Sequence, residues 1–358
     1  MDVGKSFFRC LAAVVWLPAL TGCADFLAVA DAPGPEGGVY RVQAGGAFQC
    51  AKVQNLSALV RDARTGLLYG TVNRRGGGVV VLDNVPGGGI GVVQTVATGG
   101  RTGCHLTLSP DGGFLYTANY ASGDVSEFRL KDGFPHGRSR RIRHRGRGVT
   151  PRQKSPHPHF VGFDPSGKHL YVCDLGCDRI FVYPWTREAG VDPVAAEQLI
   201  LPPGSGPRHL VFAPDGDTLY VANELDSTVA SFVRAPEAGK WRPARVRSTL
   251  PAGADRSKNY PGAIRITRDG RFFFVTNRGH DSVAVFATAA GGEFRPLAVV
   301  PTGGEFPSDL LLLDDDRLLA VCHRRSGGVA CFDWDAETGR LTPRSGRAAV
   351  PRAAGLCL

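Results

Sequence analysis

Arg208, Glu224, Arg278 and His159 are the side chains of this sequence best suited to reaction chemistry. A guanidinium grips a carboxylate or phosphate with a planar fork and keeps its charge. A carboxylate set among Arg and His can move protons as a general acid or base. His157, His209, Asp174, Asn223, Asn277 and His280 are candidates to bind substrate around these four, with Arg101 and Asn119 at the margin. Such a set suits water attack on an ester carbonyl, or proton transfer beside a carboxylate. The chain has no G-x-S-x-G elbow, which argues against covalent serine catalysis. His157 and His159 form an H-x-H pair, but no further Cys or His lies near in sequence. Tetrahedral metal sites need more ligands than that, so neither metal nor cofactor is expected.

These residues fall at fixed places in a repeat. Residues 204–233, GSGPRHLVFAPDGDTLYVANELDSTVASFV, read as three short strands divided by a PDG turn and a loop. Residues 104–128, 159–183 and 262–286 repeat the unit, and 58–82 and 308–332 are weaker copies. Asn73, Asn119, Asp174, Asn223, Asn277 and His323 end the second strand of each copy. Fifteen positions earlier stand Ala58, Cys104, His159, Arg208, Gly262 and Ser308. Antiparallel pairing sets the start of the first strand beside the end of the second. Arg208 and His209 are therefore expected beside Asn223 and Glu224 on one rim, with the PDG turns on the opposite rim. Asn recurs at the strand end, so Asn223 and Asn277 also read as architecture, and Asp111, Asp215 and Asp269 belong to turns. Arg208, Glu224 and Arg278 break the repeat in charge, which architecture does not explain.

A recurring unit of roughly 40–50 residues with about four strands is the mark of propeller blades. The chain ends complement each other. VPRAAGLCL (350–358) reads as a first strand, and residues 24–43 followed by AFQCAKV read as the remaining three. The expected fold is all-β: a seven-bladed β-propeller with four antiparallel strands per blade, closed by a blade shared between the two termini. Closure removes the sheet edges that invite aggregation. With 47 Gly, 25 Pro and a single Met in 358 residues, the composition fits many tight turns.

Residues 24–358 are expected to form this propeller domain, and residues 1–23 a signal peptide or an N-terminal extension. Lys5 and Arg9 precede the apolar run CLAAVVWLPAL and then LTGC, which fits a secretory signal with a lipobox and a lipid anchor on Cys23. That reading implies export; an extension packed on the ring implies a cytoplasmic protein. The apolar run is too short for a membrane span. The net charge of +9 owes much to residues 136–154, HGRSRRIRHRGRGVTPRQK. No aromatic residue interleaves these arginines, so a solvated loop between blades is expected rather than a nucleic-acid site. The nine cysteines are odd in number and scattered, which argues against a disulfide framework.

HRGRGVTPRQKSPHPH (144–159), DLGCDRI (174–180), GPRH (206–209), NELDSTV (223–229) and NRGHDSV (277–283) resemble, in order, motifs of the seven-bladed propeller lactonases. That family includes cytosolic-type 6-phosphogluconolactonases and the fungal carboxy-cis,cis-muconate cyclase. The resemblance runs from about residue 24 to the end. It implies metal-free hydrolysis of a sugar lactone, foremost 6-phosphoglucono-1,5-lactone, an anionic small molecule. The alternatives it leaves are a carboxymuconolactone cycloisomerase and, from the YVTN-like segments, a non-catalytic exported binding propeller. By motif, the family's proposed site residues fall on His159, Arg208, Glu224 and Arg278, with Glu224 or His159 activating water. The chain departs from the family at Ser308, where an Arg is usual, and at His323, where Asn or Gln is usual. Both departures weaken the anion-binding side of the pocket.

Overall fold

The computed structural model describes residues 25–85, 89–235 and 239–358. The expectations for residues 1–23 lie outside these. Seven antiparallel sheets follow one another around a ring. In chain order the blades span residues 56–96, 103–143, 158–200, 207–248, 260–301 and 307–343. The seventh is stitched as expected: Ala353–Cys357 is innermost and pairs with Phe26–Ala30, followed by Gly38–Gln43 and Gly46–Lys52. The third blade has a split outer edge, because both Gly190–Val191 and Glu197–Ile200 pair with Arg179–Thr186.

The core lies between blades. Tyr69, Tyr116, Tyr171 and Tyr220 each stand three residues before the end of a second strand, Phe274 stands three before Asn277 in the fifth blade, and all are fully buried. The hydroxyls of Tyr69, Tyr116 and Tyr171 keep partners. Tyr69 donates to Gly133 O at 2.6 Å, and Tyr171 accepts from Trp241 Nε1 at 2.8 Å. A buried Tyr fits a packed sheet only when its polar tip is satisfied in this way.

The buried Tyr also fixes register, and it corrects one sequence assignment. In the first blade Tyr69 sets the second strand to end at Val72, paired with Leu56 and Gly78. Asn73 therefore sits one position beyond the strand end, and Ser57 rather than Ala58 matches Cys104 and Arg208. The basic stretch is corrected too. Residues 134–143 form the outer strand of the second blade rather than a loop. Arg140 there reaches Glu127 at 2.7 Å, and Arg141 bonds Asp124.

Each innermost strand is bulged near its start. The ladder skips Ser57, Cys104, His159, Arg208 and Ser308, the pair Gly262–Ala263 in the fifth blade, and Ala354 in the seventh. A bulge leaves its extra residue unpaired and re-aims it. Here all of these except Gly262 and Ala263 line the central shaft. A second circle comes from the residue just past each second strand's Asn position: Asn73, Tyr120, Leu175, Glu224, Arg278, Arg324 and Asp31. All but Leu175 line the same shaft.

Candidate active site

One strand pair carries the central residues. Gly206 adopts a left-handed φ of 63°, where its lack of a Cβ relieves strain. Its N–H donates to Asp178 Oδ1, and its carbonyl accepts from Glu224 N, both at 2.8 Å. This turn feeds the bulge at Arg208, and Arg208 and Glu224 thus start from adjoining backbone. Arg278 occupies the Glu224 position one blade on. His159 occupies the Arg208 position one blade back.

Glu224 is 4% exposed and faces three guanidiniums. Arg152 Nη2 lies 2.6 Å from Oε1, Arg208 Nε lies 3.1 Å from Oε2, and Arg278 Nη2 bonds Oε2. Burial alone would raise the proton affinity of this carboxyl. The fields of Arg278, Arg208, His159 and Arg152 outweigh it and hold the group well below the usual carboxylate range. Glu224 is therefore fixed as an anion.

Arg278 is locked: Nε donates to Tyr260 O at 2.9 Å and Nη2 to Pro261 O at 3.2 Å. Arg208 is not. Its Nε–H is close to Glu224 but poorly aligned with it, and both Nε and Nη1 are buried without a hydrogen-bond partner. Burial, reinforced by Arg278, lowers the Arg208 guanidinium to about 9, so it remains a cation at neutral pH.

Three imidazoles complete this wall. His159 and His209 have ring centroids 5.4 Å apart, and His105 and His209 5.2 Å. Burial and then Arg208 push His159 and His209 well below the ordinary imidazole range, and burial and Arg265 push His105 to about 3. All three are neutral at physiological pH. His159 Nδ1 and both ring nitrogens of His209 are buried without a partner. Cys104 lies beside them, but burial drives its thiol to about 12, which argues against a thiolate nucleophile.

The shaft opens into a cavity of about 340 Å³ that holds all of these groups. Its far wall comes from the fifth, sixth, seventh and first blades. There Arg324 bonds Asp31, Arg265 Nη2 lies 3.1 Å from Asp309 Oδ1, and Ser308 Oγ donates to Ala353 O at 3.0 Å. Across the whole lining, five guanidiniums face three carboxylates.

The cavity thus gathers His159, Arg208, Glu224, Arg278 and His209 from the sequence-derived candidates. It does not gather the others. Asp174 is fully buried and accepts from His157 N and His144 Nδ1, both at 2.7 Å, and from Gly176 N at 3.0 Å. His157 stacks on Tyr120 at 4.5 Å and binds its carbonyl through Nδ1. Asn223 and Asn277 donate to Thr228 Oγ1 and Ser282 Oγ, and His280 bonds the same Ser282 hydroxyl. Asn119 is a strut of the same kind, bonded to Asp124 and Ser126. Arg101 is exposed and reaches Ala121 O. These residues brace the rim instead of facing the cavity. Among the described residues, no group of three or more His, Cys, Asp or Glu is placed to hold a metal ion.

Sequence reasoning missed Arg152, Arg324, Asp31 and His105. Arg324 and Asp31 carry a readable signal, since they occupy the same repeat position as Glu224 and Arg278. Arg152 has no place in the repeat, because it projects from an inter-blade loop; its signal is that it lies within the motif segment 144–159.

Comparison with known proteins agrees with this architecture. A family model described as "Lactonase, 7-bladed beta-propeller" matches residues 41–357. The 6-phosphogluconolactonase of Bacillus subtilis is 33% identical over 310 residues, covering 84% of this chain and 86% of that protein. A Pseudomonas aeruginosa periplasmic gluconolactonase superposes with a TM-score of 0.83 at 29% identity, covering 93% of this chain and 98% of that one. A Lactobacillus plantarum protein gives a TM-score of 0.84 at 26% identity, with the same coverage. No helix among the described residues is long and apolar enough to cross a membrane.

Proposed function

This chain belongs to the seven-bladed β-propeller lactonases, and from that premise we propose that it hydrolyses 6-phosphoglucono-1,5-lactone to 6-phosphogluconate without a metal. One observation supports the site assignment above the others. A neutral His159 with an unpartnered Nδ1 and an Arg208 with unpartnered donors share one buried wall.

His159 takes a proton from water as the oxygen attacks the lactone carbonyl carbon. The carbonyl oxygen becomes an oxyanion, which the spare N–H groups of Arg208 bind. Donors already aimed at a developing charge are worth several kcal/mol in enzymes of known mechanism, about 3–4 for a single donor. The ring C–O bond then breaks, and the departing oxygen takes its proton from the His159 imidazolium. Glu224 is unsuited to the role of base, because both of its oxygens are engaged by guanidiniums and its proton affinity is low. It holds Arg208 and Arg278 in place as a fixed counter-ion. The surplus of guanidinium groups in the cavity favours an anionic substrate.

Unphosphorylated glucono-1,5-lactone is the second reading. The periplasmic gluconolactonase among the structural relatives favours it, as does the export signal read in residues 5–23, since phosphorylated sugar lactones are cytosolic. The deciding experiment follows loss of both lactones with purified protein, corrected for spontaneous hydrolysis. We expect kcat/KM for the phosphorylated lactone to exceed that for the neutral one by at least about tenfold, the worth of one charge-assisted contact. Failure to accelerate either lactone would overturn the hydrolase reading.

A further inference from the structure

Arg152 differs from every other cation of the site in how it is held. It comes from the loop joining the second and third blades, not from a ring strand. The residue after it anchors that loop. Gln153 is fully buried, and its Nε2 donates to Leu175 O at 2.8 Å and to Asp178 Oδ1 at 2.7 Å. Asp178 also accepts from Gly204 N and Gly206 N, both at 2.8 Å. The backbone beside Arg152 is therefore tied to the same turn that places Arg208 and Glu224.

The Arg152 side chain is free by comparison. It is 44% exposed, against 10% for Arg208 and for Arg278. Its head lies across the cavity mouth, with Nη2 at 2.6 Å from Glu224 Oε1 and 3.3 Å from Tyr120 Oη, and the guanidinium 5.9 Å from the centre of the Tyr260 ring. A guanidinium carries five N–H donors, and the contacts to Glu224 and Tyr120 use one nitrogen. An ion pair with a half-exposed partner contributes little, and exchanging it costs correspondingly little. Glu224 keeps two buried cations when Arg152 leaves.

We propose that Arg152 is the anion-recruiting residue of the cavity: it exchanges Glu224 for the phosphate or carboxylate of an incoming substrate and decides between charged and neutral lactones. This rests on the lactonase reading above. Arg208 and Arg278 face inward toward Glu224, and Arg324, equally exposed, is held by Asp31 on the far wall, so Arg152 is the exposed cation on the wall that carries Arg208 and His159. Recruitment leaves Glu224 with one cation fewer, while Arg208 keeps its spare donors for the reacting carbonyl.

The test compares wild type with Arg152→Gln and Arg152→Lys on 6-phosphoglucono-1,5-lactone and glucono-1,5-lactone. Arg152→Gln lowers kcat/KM for the phosphorylated lactone about 10- to 100-fold, the range of a charge-assisted hydrogen bond. The loss appears in KM. The neutral lactone loses only a few-fold, so the ratio between substrates collapses, and Arg152→Lys recovers part of it. Equal loss on both substrates would make Arg152 a brace for Glu224 and overturn the assignment. Titration calorimetry with 6-phosphogluconate, against gluconate as the uncharged-tail control, gives a readout independent of turnover. If wild type hydrolyses neither lactone, the hydrolase reading fails and calorimetry decides the role of Arg152. Tighter binding of the phosphorylated acid that weakens in Arg152→Gln supports it; binding that ignores the phosphate or the substitution refutes it.

Discussion

Arg324 bonds Asp31 across the seam of the ring, joining two residues 293 positions apart in sequence. Arg352 adds a second clasp, with Nε donating to Asp31 O at 2.6 Å. Asp31 also lines the cavity, so the joint that closes the fold is part of the site wall. Deleting residues 351–358 removes the innermost strand of the seventh blade and bares the edge of Phe26–Ala30. We expect the truncated protein to lose its cooperative melt and to self-associate, as unpaired edges do. A monomer with an unchanged Tm, by calorimetry and light scattering, would contradict the shared-blade closure as the source of stability.

Glu224 neutralises a crowd of cations, so its removal is costly twice over. Glu224→Gln keeps the shape but leaves Arg152, Arg208 and Arg278 without their common anion. Breaking a buried pair by removing one partner costs about 3–5 kcal/mol. Urea denaturation is expected to show a loss of that order, together with reduced turnover. Unchanged stability would mean that water screens these guanidiniums more than their burial implies.

Arg208→Lys tests the oxyanion role. Lys keeps the charge but loses the planar fork. The expected result is a fall in kcat of about 100-fold or more, with KM altered far less. A fall confined to KM would reassign Arg208 to ground-state binding.

His159→Gln removes the proposed base and is expected to lower kcat by about 100- to 10,000-fold. Because burial and Arg208 hold His159 below its ordinary range, the acid limb of the wild-type kcat profile should lie well under pH 6.5. A limb near pH 6.5, or a variant with full turnover, would point to another base.

Stability should fall on the acid side through the neutral imidazoles. His105 is lowered to about 3 and His323 to about 4, and His159 and His209 also lie far below the ordinary value. Each takes up its proton near pH 6.5 in the unfolded chain but only at much lower pH in the folded one. The unfolded state thus binds more protons as pH drops below about 6.5, and each such group weakens the fold by up to about 1.4 kcal/mol per pH unit. The contribution of Glu224 has the depressed-carboxylate form and is lost only below about pH 4. Melting temperature is expected to decline steadily from pH 7 to 5. His323 lies outside the cavity lining and stands where other blades carry a hydrogen-bonded Asn, and both of its ring nitrogens are buried without a partner. His323→Asn should therefore flatten the slope. An equal slope in that variant would remove His323 from the account.

The ring, its stitched blade and the rim bearing Arg208 and Glu224 were legible because backbone repetition leaves a countable trace. The Gly-rich first repeat reads one residue out of register, since Asn73, which resembles the strand-end Asn of other repeats, lies past the strand end at Val72. Counting also could not separate a residue facing the shaft from one bracing the rim. Asn223 and Glu224 are neighbours in sequence, yet one bonds Thr228 and the other faces the cavity. Arg152 lies in the quoted motif segment 144–159, but its place in the cavity was not legible, because it depends on Gln153 and Asp178, partners 25 residues apart that no repeat links.

The extra residue at the head of each innermost strand has an evolutionary corollary. It stands outside the pairing ladder, so its identity is decoupled from the scaffold around it. Ser, Cys, His, Arg and Ala all occupy it within this one chain. The ring behaves as a set of interchangeable sockets around a common bore, and new substrate preferences can arise there one socket at a time, without redesigning a blade.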